Sequence, residues 1–280
     1  MKISTLIIDG PYLSHKSYDA PYAIHRSDGL KVTHIHAFIQ GFQALRKQFN
    51  PDKTIVAWES HGTPSWRREI LPEYKPKVTV PTDFIEQQED LKKVLYLLGV
   101  PQYYSPQNEA DDVIATLVEI HKNLKLVPIV IHTTDKDMMQ LVDSDVKVWS
   151  TKQLVDEEAV IHKFKVPPNR LCDLLAVTGD SSDNIPGVAG YGPVKASKII
   201  KQFDRIERIP ITVFSLDYLK MLERNKKLIK LNKKCDLVSY KLSEQTTLEK
   251  IFDKYSLPSL KKKIPELKLQ VTVKSLSQFY

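Results

Sequence analysis

Cysteine is nearly absent: Cys172 and Cys235 are the two in 280 residues. They form no CxxC spacing. A disulfide framework is therefore excluded, and two free buried thiols in a reducing compartment are the plain expectation. No apolar run approaches the ~20 residues that a membrane helix needs, so no membrane partner is expected. The opening MKISTLIIDG has a short apolar run closed by an acid. It reads as a first strand, not as a signal peptide. No internal repeat is visible. Histidine offers no metal site, because His34 and His36 lie two apart and would point to different faces of a helix. Packed or solvated side chains are expected there.

What is present is apolar mass and charge. Hydrophobic residues make up 42% and charged residues 27%, enough for a sizeable core and against global disorder. The length fits one large domain, or a core with a subdomain. Lys and Arg number 41 against 34 Asp and Glu, a net charge of +7. If the acids gather in one place, the remaining surface is more basic than that total. A basic surface around an acidic pocket suits a polyanion handled with metal ions.

TLIID (5–9), TIVAW (54–58), PIVIH (128–132) and VKVWS (146–150) read as buried strands, with Trp58 in the core. Helical spacing covers 33–49, 82–99 and 109–122, the second capped by Thr82 and stopped by Gly99. Tyr103 and Tyr104 are expected at the edge of the sheet. Strands alternate with helices to about residue 150, which predicts an α/β fold with a mainly parallel sheet covered on both faces. The remainder reads as helical, centred on 177–203. KKKIPELKLQVTVK near the end has little periodicity and reads as a tether.

The acids fall at element boundaries. Asp9 ends the first strand, Glu59 follows the second, and Asp135 and Asp137 follow PIVIHTT. Glu109, Asp111 and Asp112 open a helix, and Asp180 and Asp183 lie in the helical half. Parallel strands bring their carboxyl ends to one edge, where ligands bind. Asp135 and Asp137, two apart in extended chain, would point the same way. Glu109 and Asp112, three apart, can share a helix face, as can Asp180 and Asp183. Clustered carboxylates cannot all stay ionised without cations. Oxygen ligands without His or Cys suit Mg²⁺ or Mn²⁺. Two such ions about 3.5–4 Å apart are a standard arrangement for phosphodiester cleavage. Taken singly, each acid has a plainer reading: Asp9 as a turn cap, EADD as a helix cap, DKD and SSDN as polar turns. Arg67, Arg68 and Lys75 are the basic groups placed to neutralise phosphate, beside Trp66 and Tyr74. They read equally as a solvated face.

IIDG, WRREILPEYK, EADD, TTDKD and TGDSSDNIPGVAGYG, in this order over residues 3–205, resemble the 5′-nuclease family. That family takes in the nuclease part of bacterial DNA polymerase I, phage 5′-3′ exonucleases and flap endonucleases. The resemblance implies a PIN-like core at 1–155 with a small helical arch at about 66–95. It implies a helical part at 156–257 with a helix-three-turn-helix DNA-binding element at about 179–203, then a tail at 258–280. It implies two-metal hydrolysis of DNA at 5′ ends and flaps, in replication or repair. Asp9, Glu109, Asp111 and Asp112 then form one metal group, with Asp112 acting through water. Asp135, Asp137, Asp180 and Asp183 form the other, and Asp111 can bridge. Lys75 is implied as the arch lysine at the scissile phosphate, with Tyr74 and Arg67 beside it. Gly187, Val188, Gly190 and Gly192 match the hairpin that meets duplex phosphates, with Arg68, Lys77, Lys195 and Lys198 as further DNA contacts. A K⁺ ion at Val188 and Gly190 is implied as well. A non-cutting branched-DNA-binding protein and a PIN-class RNase are the alternatives.

The sequence departs from the family at Glu59, where Asp is usual, which points to ligation through water. It departs again at Pro76-Lys77-Val78 and at Val194, where lysine is usual. The link from Lys75 to EADD is short, so a small arch is expected. Leu276, Phe279 and Tyr280 are spaced like a clamp-binding box, which implies a sliding clamp as partner. A terminus that packs on its own domain is the competing reading. A monomer in the cytoplasm of a prokaryotic or phage-infected cell, at the nucleoid, is expected.

Overall fold

The computed structural model describes residues 2–60, 62–76 and 79–269. Seven strands form one sheet: β1 (Thr5–Asp9), β2 (Lys53–Ala57), β3 (Gln102–Tyr104), β4 (Ile129–His132), β5 (Val146–Ser150), β6 (Gln153–Val155) and β7 (Val238–Ser239). Their order is β6-β5-β4-β1-β2-β3-β7. The inner pairings are parallel, and the two edge strands β6 and β7 run antiparallel.

Every residue of β1 is buried, as a central parallel strand requires. Its side chains alternate between two apolar cores. Ile7, Ile55, Ile129 and Ile131 face one; Leu6, Ile8, Val56 and Val130 face the other. Register sets Asp9 opposite Ala57, and Ile8 opposite His132. Hence the residues just after β2 and β4 emerge beside Asp9.

The helices are α1 (Gly10–Tyr18), α2 (Thr33–Phe49), α3 (Arg67–Ile70), α4 (Thr82–Leu97), α5 (Ala110–Asn123) and α6 (Glu157–Phe164). They continue as α7 (Leu171–Thr178), α8 (Pro193–Phe203), α9 (Leu216–Ile229), α10 (Leu248–Lys254), α11 (Pro258–Lys262) and α12 (Ile264–Leu269). α2 buries Ile35, Phe38, Ile39, Phe42, Leu45 and Phe49, one face at helical spacing. α7, α8 and α9 extend the core that holds Ile7. None of the described helices is long and apolar enough to cross a membrane.

Four sequence expectations change. Trp58 is buried but lies one residue past its strand, its Nε1 donating to Gln102 Oε1 at 2.9 Å. Thr82 is the first residue of α4 and Pro81 its cap. Asp135 and Asp137 do not lie in extended chain. Asp137 opens a 3-10 turn, and its N–H donates to Asp135 Oδ1 at 2.8 Å. The described part of the expected tether, 261–269, is packed helix instead. Leu260, Ile264 and Leu267 are buried with Phe252 against α2 and α4. Asp90 of α4 fixes this layer, accepting from Lys254 Nζ at 2.6 Å and Tyr255 Oη at 2.8 Å. Residues 270–280, including Leu276, Phe279 and Tyr280, lie outside the described residues.

Candidate active site

Asp9 sits where β1 turns into α1 and is buried. Both of its oxygens are engaged: Tyr12 N donates at 2.9 Å and Thr133 Oγ1 at 2.7 Å. The turn requires glycine next. A Cβ on Gly10 would stand 2.5 Å from the Trp58 ring and 2.7 Å from Ala57 O. Burial pushes the Asp9 carboxyl up to about 6, with Asp135 and Glu59 adding repulsion against those two hydrogen bonds. Asp111 is raised well above the carboxylate range by burial, then by Asp135 and Asp9. These shifts place Asp9, Asp111 and Asp135 in one electrostatic neighbourhood, as the strand register requires. Glu59 is exposed at the rim.

A second acidic group lies beside the first. One carboxylate oxygen each from Asp137, Asp180 and Asp183 falls within 4.8 Å of the others. Burial, then Asp135, Asp180 and Asp183, raise Asp137. Asp137 Oδ1 is buried without a hydrogen-bond partner, a costly state for an acceptor. Asp180 behaves differently. Burial works against its charge, but Lys136 at 2.8 Å and Ser182 hold it below the usual range. Carboxylates pressed together, proton-hungry and with an unmatched buried oxygen fit hard divalent cations with oxygen ligands.

The arch base supplies the positive charge, and it does so unevenly. Arg67 is buried. Its Nη1 and Nη2 donate to Asp112 at 2.6 and 2.8 Å, and its Nε to Leu228 O at 2.7 Å. Asp112 also accepts from Asn232 N at 2.8 Å and Glu109 N at 3.3 Å. The expectation for Asp112 is a role through water; here its buried carboxylate accepts from four protein N–H groups and is the structural partner of Arg67. Arg67 cannot reach a phosphate without leaving this pair. Arg68, half-buried, donates to Lys75 O and holds the arch base together.

Lys75 is the available cation. Its Nζ lies 2.8 Å from Glu109 Oε2, and its backbone is left-handed at φ 47°. Burial opposes its charge, but Glu109, Asp111 and Asp183 together keep it protonated well above the usual lysine range. Tyr74 Oη lies 3.0 Å from Asp183 Oδ2 and 3.2 Å from Glu109 Oε2, so its one proton can serve either acidic group. Lys77 falls outside the described residues. The arch base also interlocks with the acidic loop of the helical half: Lys75 N donates to Asp183 O at 3.1 Å, and Asn184 Nδ2 to Glu73 O at 3.0 Å.

The glycine hairpin divides into two kinds of glycine. A Cβ on Gly187 would stand 2.2 Å from Thr178 O, so this residue serves close packing within the loop. Val188 is buried, and its carbonyl accepts from Tyr191 N at 3.0 Å. Gly190 and Gly192 have nothing within 4 Å of a Cβ position, leaving their backbone open to a ligand. Lys195 and Lys198 are exposed on the same helix start, with Val194 70% exposed beside them.

Sequence reasoning passed over Thr133, Lys136, Asn184 and Asn232. Thr133 and Lys136 stand inside TTDKD, and Asn184 ends SSDN, so the signal was polar residues embedded in the acidic motifs. Asn232 gave none.

The family model for the 5′-3′ exonuclease N-terminal, resolvase-like domain matches residues 4–165. That for the 5′-3′ exonuclease C-terminal SAM fold matches residues 166–261. A 5′-3′ exonuclease of Aquifex aeolicus is 31% identical, over 98% of this chain and 95% of that protein. Among solved structures, T5 5′-exonuclease with divalent metal ions (zinc) bound superimposes with a TM-score of 0.68, 24% identity, and coverage of 82% of this chain and 90% of that one. A bacteriophage T5 flap endonuclease, in a pseudo-enzyme-product complex with DNA and metal ions, gives 0.65 at 20% identity over 99% and 96%. The chain belongs to the 5′-3′ exonuclease family.

Proposed function

We propose that this 5′ nuclease removes 5′ ends and 5′ flaps from DNA during replication or repair, using two Mg²⁺ or Mn²⁺ ions held by the converged carboxylates. The observation that carries the reading is the Asp137–Asp180–Asp183 group, with its unpartnered buried oxygen, next to Asp9 and Asp111. When bound, such ions activate water and offset charge on the scissile phosphate. Asp9, Glu109 and Asp111, with Asp135, would hold one ion; Asp137, Asp180 and Asp183 would hold the other. Glu59 contributes through water from the rim.

The protein's own groups do the positioning. Lys75 stays charged and needs only to leave Glu109 to meet the phosphate, where a fixed cation stabilises developing charge. Tyr74, within donating reach of both acidic groups, keeps them in register. Arg67 acts through Asp112, fixing the start of α5. Gly190, Gly192, Lys195 and Lys198 take the duplex backbone, with K⁺ at the hairpin. The work is that of a cytoplasmic monomer at the nucleoid, with Leu276, Phe279 and Tyr280 docking on a sliding clamp.

The test is a substrate panel of 5′-flap DNA, linear duplex DNA and single-stranded RNA, each with Mg²⁺ and with EDTA. Cleavage of flap and duplex ends, dependent on Mg²⁺ and leaving 5′ phosphate, is expected. Binding without cutting, or preference for RNA, would replace this reading with another. Asp135→Asn should abolish cleavage and leave DNA binding intact.

A further inference from the structure

The carboxyl edge of the sheet changes character along the strand order. At β4, β1 and β2 it carries acids. At β3 it ends in Tyr104, while Tyr240, just past antiparallel β7, lies two residues below that edge, opposite Gln102. There a cavity of about 340 Å³ is lined by Trp58, Glu59, Glu89, Lys92, Tyr104 and Tyr240. Trp58 joins it to the acidic site, because the same ring packs against Gly10, next to Asp9.

The geometry points to a nucleobase subsite: the cavity takes the unpaired base next to the scissile phosphate on the 5′ side and stacks it on Tyr104 and Tyr240. This rests on the nuclease reading and adds where the displaced base goes. Tyr104 and Tyr240 are half-buried, so each offers one face. Tyr240 is in edge contact with Tyr96, ring centroids 6.1 Å apart, and its N–H donates to Gln102 O at 2.9 Å. β3 lies two strands from β1, about 10 Å at the usual strand spacing. That is within reach of a nucleotide neighbouring the bound phosphate.

Charge selects a base over a phosphate. Lys92 is buried and paired with Glu89 at 2.6 Å, while Glu59 stands exposed at the mouth. A phosphate would meet net negative charge. A neutral base meets aromatic faces, and Glu59 can accept from an exocyclic amine. Stacking on an aromatic side chain tolerates any base, which suits a nuclease that selects structure.

The experiment compares a 5′-flap DNA with the same DNA abasic at the first unpaired flap position. Tyr104→Ala should cut the normal flap about 10-fold less efficiently, the size of one lost stacking contact. On the abasic flap, variant and wild type should agree within about twofold. Tyr104→Phe should restore the difference. Independently of cutting, 2-aminopurine at that position, bound in Ca²⁺, should lose fluorescence with wild type and not with Tyr240→Ala. Equal losses on both DNAs, or unchanged quenching in Tyr240→Ala, would overturn the subsite. A wild type that quenches but never cuts would instead remove the nuclease reading and leave the subsite standing. Thermal melting of each variant checks that it is folded.

Discussion

Two close ion pairs join the arch base to the start of α5, beside a looser approach of Arg67 Nη1 to Glu109 Oε2 at 3.9 Å, and the two differ in kind. Arg67–Asp112 is bidentate, buried and completed by backbone donors on every side. Lys75–Glu109 is a single contact, with the lysine 36% exposed; its ammonium also lies 5.5 Å from the Tyr74 ring centroid and feels the charges of Asp111 and Asp183. Both pairs come from one basic motif and one acidic motif. The first is architecture, because a planar guanidinium matched to a carboxylate loses much if either partner is removed. The second is a half-exposed cation on a carboxylate, which under the proposed function exchanges that partner for a phosphate.

The contrast breaks most sharply at Arg67. Arg67→Ala leaves Asp112 buried and unpaired, which should cost about 3–5 kcal/mol, read by urea denaturation. A variant that unfolds at the wild-type midpoint would erase the distinction. Lys75→Ala should lose about 10²–10³ in kcat on flap DNA, as removal of one charge-stabilising group does, with stability changed by under about 1 kcal/mol. If Lys75→Ala were instead the less stable of the two, the roles would be reversed.

The third comparison adds cations. At 100 times its Kd a bound ion stabilises by about 2.7 kcal/mol, seen as a rise in Tm with Ca²⁺. Asp137→Asn should lose most of that gain and melt slightly higher than wild type in EDTA, because one crowded carboxylate is gone. A lower Tm in EDTA would argue that Asp137 is held by contacts rather than strained.

The smallest effect is in pH. Asp9 titrates at about 6, and burial raises Asp111 and Asp137 as well. Cations need these groups ionised, so protons compete as pH falls. The Ca²⁺-dependent rise in Tm should be largest near pH 8 and shrink through pH 6. In the cation-free protein the sign is opposite. The raised carboxyls bind protons more tightly folded than unfolded, so their burden on stability is present above about pH 6 and relieved below it. A Ca²⁺ effect independent of pH from 8 to 5 would contradict the assignment of Asp9.

Much of the fold was legible because buried parallel strands announce themselves as apolar runs. β6 and β7, at three and two residues, are too short to do so. The α10–α12 layer was hidden by its lysines. Leu260, Ile264 and Leu267 do keep helical spacing, and Pro265 is tolerated in a first turn, but the run Lys261–Lys263 reads as solvated chain. The acids could be gathered from their strand ends. What could not be read was which acid faces which base. Arg67 and Lys75 sit eight residues apart, and only the position of α9, whose Leu228 carbonyl closes the guanidinium's ring of acceptors, decides that one is sealed in. The glycines carry the same lesson: Gly187 and Gly190 look alike in the string, yet one is walled in and the other open.

The interlock of Glu73 and Lys75 with Asp183 and Asn184 crosses the seam between the two family segments, which meet at residues 165 and 166. Asp9 through Asp137 lie on one side of that seam, Asp180 and Asp183 on the other. Under the proposed assignment of the ions, neither segment is therefore a smaller nuclease waiting to be cut free. The halves must be inherited, swapped or redesigned together, since a foreign partner would have to supply two aspartates and the handhold that aims the lysine at once.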